Sequence, residues 1–295
     1  MTDQITIATY NVKDYRRAGE TDHHRWEQVE HVIRDVGPHI LMVQEIPGGT
    51  WRDAADGLAQ LAAATGMRGD LDDGRWAAVP GGHDRLGLGI LWKPGINPVP
   101  ASWLAVSGTP LWHALAVVTL DIGGHRLVAA SYHAPPAAGR DRRPAEAEFI
   151  VDALTGHSRG QRHEIWLGGD FNNPAVCADP RGASDHAGRS DGPQPTPGRE
   201  HPPDDTDRRP GRILETAGFL DTAIPENGGR LQATTGHWPS DRNGHRRIDR
   251  ILLRPGPAPV GVLEDHGVHD NRTARAASDH LLYAVRYRPP AWASR

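Results

Sequence analysis

The 295 residues carry 33 Lys+Arg against 37 Asp+Glu, a formal net charge of -4, with 37% hydrophobic and 24% charged residues. That balance excludes a strongly basic domain that coats polyanions, and no apolar segment approaches the roughly 20 residues a helix needs to cross a bilayer. The polar start Met1-Thr2-Asp3-Gln4 does not read as a signal peptide and the single Cys177 cannot form an internal disulfide, so the expected compartment is the cytoplasm, provided no leader was trimmed.

In chain order, the apolar run 5–10 reads as a buried strand. Trp26, Val29, Val32, Ile33 and Val36 then form a stripe of 3.6-residue period, stopped by Gly37-Pro38 before a second strand at 41–43. Residues 54–64 suit a second helix. Strands are expected at 76–79, 86–92, 114–122 and 127–132, with Asp121-Ile122-Gly123-Gly124-His125 as a hairpin turn. A third helix should start at Pro144, a residue suited to the first turn, and run to about Gly156 before a strand at 165–167. Residues 178–212 are rich in Asp, Arg, Pro, Gly and His and cannot supply a core, so they read as a long polar loop. Residues 289–295 read as a frayed tail. The elements run from end to end, which favours one domain over 1–290.

The polar residues that close these apolar runs carry the chemistry. Asn11 follows the first strand, Glu45 the second, and His133 the run 127–132. Asp170 and Asn172 follow 165–169, Asp249 lies inside Arg247-Ile248-Asp249-Arg250-Ile251, and Ser278-Asp279-His280 precedes the last apolar run. Polar groups at strand ends are where a sheet scaffold presents function. Acids with Asn, joined by Asp and His, suit a hard cation and a phosphate. Asp170 and Asn172, two apart on an extended segment, point the same way.

Thr-Tyr-Asn-Val, Val-Gln-Glu, Tyr-His-Ala-Pro, Gly-Gly-Asp-Phe-Asn-Asn-Pro, Arg-Ile-Asp-Arg-Ile and Ser-Asp-His, in that order, resemble the endonuclease/exonuclease/phosphatase superfamily from Thr6 to about Tyr287. Its members include deoxyribonuclease I, exonuclease III type repair enzymes, deadenylases, inositol polyphosphate phosphatases and bacterial sphingomyelinases. The resemblance implies a four-layer α/β sandwich, two packed mixed sheets flanked by helices, and a Mg²⁺-dependent phosphodiesterase, with Mn²⁺ or Ca²⁺ as alternative ions. It implies Asn11, Glu45 and Asp279 at the metal, Asp170 orienting or deprotonating the attacking water, and Asn172 gripping the phosphate. His280 would stabilise or protonate the phosphate while Asp249 holds its other ring nitrogen.

His133 discriminates within the superfamily. The abasic-site enzymes carry Tyr there, with a following Pro-Asn and a second Asn after the first; this chain has Ala134-Pro135 and Lys13 instead. The inositol phosphatase motif is also broken, by Phe171 and Asn173-Pro174. The His-Ala-Pro is similar to the deoxyribonuclease I pattern, in which the His is a second general acid, and Asp84 is the expected partner of His133. Arg140, Arg142 and Arg143 are candidate contacts to flanking phosphates, and Trp103, Trp112 and Trp238 candidate platforms for bases. The main expectation is a monomeric DNA or RNA nuclease. Net acidity keeps open a small phosphoester substrate such as a lipid headgroup, nucleotide or metabolite, and a non-catalytic binding module on the same fold is the third reading.

Overall fold

The computed structural model describes residues 4–15, 23–158, 163–173, 207–223, 232–241, 244–257 and 261–290. The chain opens as expected: β1 (Ile5–Asn11), α1 (His23–Val36) and β2 (Ile40–Pro47), with β1 and β2 parallel from Ile7 opposite Ile40 to Asn11 opposite Gln44. After α2 (Trp51–Thr65), β3 (Ala78–Val79) and β4 (Leu86–Trp92) join this sheet through β2, and β12 (Val262–Val268) and β13 (Tyr283–Arg288) join it on the β1 side. The order is β12-β13-β1-β2-β4-β3.

The second sheet runs β10-β11-β9-β8-β7-β5, from β10 (Leu220–Asp221) and β11 (Asp249–Arg254) through β9 (Glu164–Asp170) and β8 (His125–His133) to β7 (Ala114–Ile122) and β5 (Asn97–Pro98). A short strand β6 (Leu104–Ser107) also pairs with β7. The hairpin between β7 and β8 turns on Gly123 and Gly124, both at positive φ (62° and 92°), a conformation glycine adopts without steric cost.

Strand alternation explains the layering. In β1, Ile5 and Ile7 face the second sheet, while Ala8 and Tyr10 face the helices. The inter-sheet core joins Ile40, Met42, Leu88, Ile90 and Trp92 to Val118, Leu120, Leu127, Trp166, Ile251 and Leu253. Outside the first sheet, Trp26, Val29, Val32 and Ile33 of α1 and Leu58 and Leu61 of α2 cover Leu41 and Val43. Outside the second, Ile150 and Leu154 of α3 (Arg143–His157) and Leu214 of α4 (Arg209–Thr216) cover Val128, Ile165 and Leu167. This is a helix-sheet-sheet-helix sandwich, and strands covered on both faces read as continuous apolar runs for that reason.

The expected loop at 178–212 is corrected at its end: α4 begins at Arg209, and Leu214 buries the face that anchors it. Residues 178–206 of that segment, Cys177 and residues 291–295 lie outside the described residues. No helix among the described residues is long and apolar enough to cross a membrane.

Beneath the rim where strands end, the sheets approach closely: a Cβ on Gly168 would run into the Met42 Cε across the layers. Within the second sheet, one on Gly169 would run into the carbonyl oxygen of Tyr132, its partner on β8. Gln44 bridges the layers there: its Nε2 donates to Ser131 Oγ at 3.0 Å and its Oε1 accepts from Thr9 Oγ1 at 3.2 Å. A buried amide with both ends satisfied fixes the relative position of β2 and β8.

Candidate active site

Register brings the polar residues to one rim. On the second sheet His133 lies opposite Asp170, and Asp170 lies opposite Asp249. On the first sheet Asn11 ends β1 beside Gln44, and Glu45 follows at a bulge between Gln44 and Ile46. Glu45 has φ of 62° and Asn172 φ of 49°, left-handed backbone that costs a side-chain-bearing residue about 1–3 kcal/mol. The bulge turns the Glu45 side chain out of the strand alternation and toward Asn11.

Asn11 sits between the acids, its Nδ2 donating to Glu45 Oε1 at 2.8 Å and to Asp170 Oδ2 at 3.2 Å, while its Oδ1 accepts from the Lys13 N–H. His133 Nε2 stands 3.5 Å from Asp170 Oδ2 and 3.9 Å from Glu45 Oε1. His280 Nε2 stands 3.7 Å from the same Asp170 oxygen, and its Nδ1 is 2.9 and 3.0 Å from the two Asp249 oxygens. Ser278 ties this segment to β1, because its Oγ donates to the Asn11 carbonyl and accepts from the His280 N–H. The Asp249 N–H donates to Thr234 Oγ1. Asn172 is held by its N–H to Asp170 Oδ1 (2.8 Å) and its Nδ2 to the Ala134 carbonyl (3.0 Å), 3.5 Å from His133 Nε2. Seven of the sequence-predicted residues therefore converge: Asn11, Glu45, His133, Asp170, Asn172, Asp249 and His280.

Asp279 does not join them. Its Oδ2 pairs with Lys13 Nζ at 2.5 Å, and that ammonium stands 4.7 Å over the Trp238 ring. The expected pairing of Asp84 with His133 is corrected. Asp84 Oδ1 lies 2.8 Å from Nδ1 of His113, and His113 stacks on His133 with ring centroids 3.8 Å apart and planes 3° from parallel. Arg143 is buried, its Nε donating to the Pro135 carbonyl, so this side chain braces the turn after His133; Arg140 is exposed beside Asp141. Trp103 packs against the inter-sheet core and Trp112 is stacked by His83 at 3.9 Å.

Sequence reasoning missed His113 and Arg250. Arg250 is buried, its Nη2 donating to Asn173 Oδ1 at 3.0 Å and its guanidinium standing 4.5 Å over Phe171, so it fixes the turn that presents Asp170 and Asn172. The signal was a charged residue inside a hydrophobic strand, where only a partnered Arg is tolerated.

The electrostatics follow from burial against pairing. Burial alone would lower the His280 pKa, but Asp249, then Asp170 and Asp279, raise it to about 10. Burial pushes Asp170 up, yet His280, His133 and the Asn172 N–H hold it well below the usual carboxylate range. Burial raises Glu45. Burial works against a charged His133, which Asp170, Glu45 and Asp84 nonetheless raise above its ordinary value. Burial, with His133 alongside, pushes His113 down to about 4.

Glu45, His133 and Asp170 bring one ligand atom each within 4.8 Å of one another, as do Asp170, Asp249 and His280. Two carboxylates sharing an edge, one of them pushed up by burial, are a donor set that a hard divalent cation fits. Two imidazoles reaching the same Asp170 oxygen from either sheet leave cationic or hydrogen-bonding faces for an anion between them.

Several solved structures share this fold at low identity. Humanized D. rerio TDP2 with 14 mutations superposes with a TM-score of 0.62 at 12% identity, covering 97% of this chain and 99% of that one. Truncated Caenorhabditis elegans TDP2 gives 0.59 at 15%, with 96% and 97% covered. An endonuclease/exonuclease/phosphatase family protein from Bacteroides thetaiotaomicron gives 0.63 at 14%, with 96% and 94% covered. No curated protein matches the chain by sequence. The Endonuclease/Exonuclease/phosphatase family model matches residues 8–280, from β1 to the histidine that closes the rim, and the chain belongs to that family.

Proposed function

We propose that the chain is a divalent-metal-dependent phosphodiester hydrolase, and specifically a nuclease with deoxyribonuclease I-like chemistry. The observation that carries this is the pair His133 and His280, whose Nε2 atoms stand 3.5 and 3.7 Å from one Asp170 oxygen beside Glu45. Glu45 and Asp170, with Asn11 alongside, would hold Mg²⁺, which supplies charge neutralisation at the phosphoryl oxygens.

Phosphodiesters resist attack because their anionic oxygens repel a nucleophile, so the protein must supply positive charge, an aligned water and a proton for the leaving oxygen. Asp170 is held ionised by two imidazoles and an N–H, which suits it to orient the water more than to act as a strong base. Asn172 Nδ2 would donate to a phosphate oxygen. His280, kept cationic by Asp249, would neutralise charge that develops on the phosphorane. His133 is also raised, by Asp170 and Glu45 against its burial, but its Nδ1 has no hydrogen-bond partner among the described residues, which suits it to release a proton to the leaving alkoxide. These two roles differ because both Asp249 oxygens grip Nδ1 of the His280 imidazole, and no carboxylate among the described residues stands behind that of His133.

The test is digestion of plasmid, single-stranded DNA and RNA, beside a panel of small phosphoesters, with and without EDTA. Cleavage should require a divalent ion and fall by several orders of magnitude in Asp170→Ala and His280→Ala. Turnover that survives EDTA and both substitutions refutes the mechanism. One observation favours the small-substrate reading: Arg143, a candidate contact to flanking phosphates, is taken up by the Pro135 carbonyl. Turnover of the panel with no cleavage of any polymer would decide for it.

A further inference from the structure

The two active-site histidines are held in different ways. His280 is gripped from behind by both Asp249 oxygens. His133 is buried at 3% exposure, and its Nδ1 has no hydrogen-bond partner among the described residues. A ring with one edge facing Glu45 and Asp170 and nothing bonded to the other is free to rotate about its Cβ–Cγ bond unless something packs its face.

The face is packed by His113, 1% exposed, at 3.8 Å and 3° from parallel. His113 is itself held by one close side-chain contact and two backbone hydrogen bonds. Its Nδ1 lies 2.8 Å from Asp84 Oδ1, and its carbonyl accepts from the N–H groups of Gly82 and Gly108 at 3.0 and 3.1 Å. Asp84 stands on the loop before β4, where its Oδ1 also faces the Leu86 N–H. The loops around Gly82 and Gly108 thus meet the start of β7, and the next residue, Ala114, pairs with His133 across the β7-β8 ladder.

We propose that His113, anchored by Asp84, is a positioning residue for His133: it replaces the carboxylate grip that His280 enjoys with a flat face that locks the His133 ring plane. Asp84 acts on His133 through His113. The kinetic consequence rests on the hydrolase reading above; the geometric one does not.

The geometric test labels histidine at ¹³Cε1 and follows the His133 resonance in metal-free protein, assigned by its loss in His133→Gln. Stacked against His113, its Hε1 is shielded by the neighbouring ring. It should move downfield in His113→Ala and in Asp84→Ala, and stay near its place in His113→Phe, which keeps a flat ring. Asp84 is partly exposed, so Asp84→Ala decides the matter if His113→Ala fails to fold. An unmoved His133 resonance in the folded Ala variants overturns the proposal. The kinetic test expects His113→Ala to lower kcat by about 10–100-fold with KM held within about twofold, the size seen when groups behind a reacting side chain are removed. His113→Phe should recover most of that loss. Equal losses in the Phe and Ala variants, or a change in KM alone, overturn it. A wild-type protein inactive on every phosphoester would remove the hydrolase reading and leave the resonance to decide this one.

Discussion

Asp249→Asn isolates the strongest electrostatic pairing in the site. His280 is raised from 6.5 to about 10, and Asp249 is the leading cause of the rise. A raised histidine binds its proton more tightly in the folded state, so its contribution to stability is complete below about pH 6.5 and is lost as pH climbs toward 10. That interval of about 3.5 pH units, at about 1.36 kcal/mol each, gives a ceiling of about 5 kcal/mol, shared by the buried pair as a whole. Burial also pushes Asp249 up, against the pull of His280, which is why the figure is a ceiling. Asn keeps the size and one acceptor but removes the charge, leaving burial as the dominant influence on His280. We expect the His280 midpoint to fall to its ordinary value or below. The assay is an NMR titration of the imidazole in metal-free protein from about pH 5 to about pH 10.5, with urea denaturation at either end. Wild type should lose several kcal/mol relative to the variant across that range. A wild-type His280 that titrates near 6.5, or a variant with the same midpoint as wild type, would mean that Asp249 does not hold the proton on His280.

Two further outcomes test how the scaffold supports the rim. Gly168→Ala presses a methyl against the flexible end of Met42 and should cost about 1–3 kcal/mol by urea denaturation, whereas Gly169→Ala meets the Tyr132 carbonyl of the paired strand and should cost more. A milder effect at Gly169 would contradict the close approach of β8 and β9. Arg250→Met strips the buried Asn173 of a donor and should cost about 2–3 kcal/mol while lowering kcat through the Asp170-Asn172 turn. Unchanged stability would mean that the turn is held by its own backbone.

Much of the site was legible because each functional residue ends or interrupts an apolar run. Asn11, Glu45, His133 and Asp170 mark where the apolar run of a strand buried on both faces breaks off, and a break in hydrophobicity is visible in one dimension. Asp249 and His280, 31 positions apart, were paired through the resemblance alone, since spacing does not place an Asp behind a His. The Lys13–Asp279 pair, 266 positions apart, was not seen, because the sheet order that sets β13 beside β1 carries no local signal. His113 was invisible for a similar reason: it is one of 17 histidines, it precedes a strand rather than closing one, and its importance lies in a face-to-face contact across β7 and β8. Arg143 looked like a phosphate contact by its neighbours, but its place at the start of α3 turns it inward onto Pro135. The strand β12 escaped notice because its mostly exposed residues leave no apolar pattern, and α4 because its polar first turn continues the composition of the segment before it.

In the proposed mechanism Glu45 and Asp170 form one cation site between the imidazoles. Anomalous diffraction from crystals soaked in Mn²⁺ locates the ion. We expect a single strong peak bonded to Glu45, within about 2.5 Å of its carboxylate, abolished by Glu45→Gln. A peak elsewhere on the molecule, or equal occupancy in the Gln variant, would contradict the account.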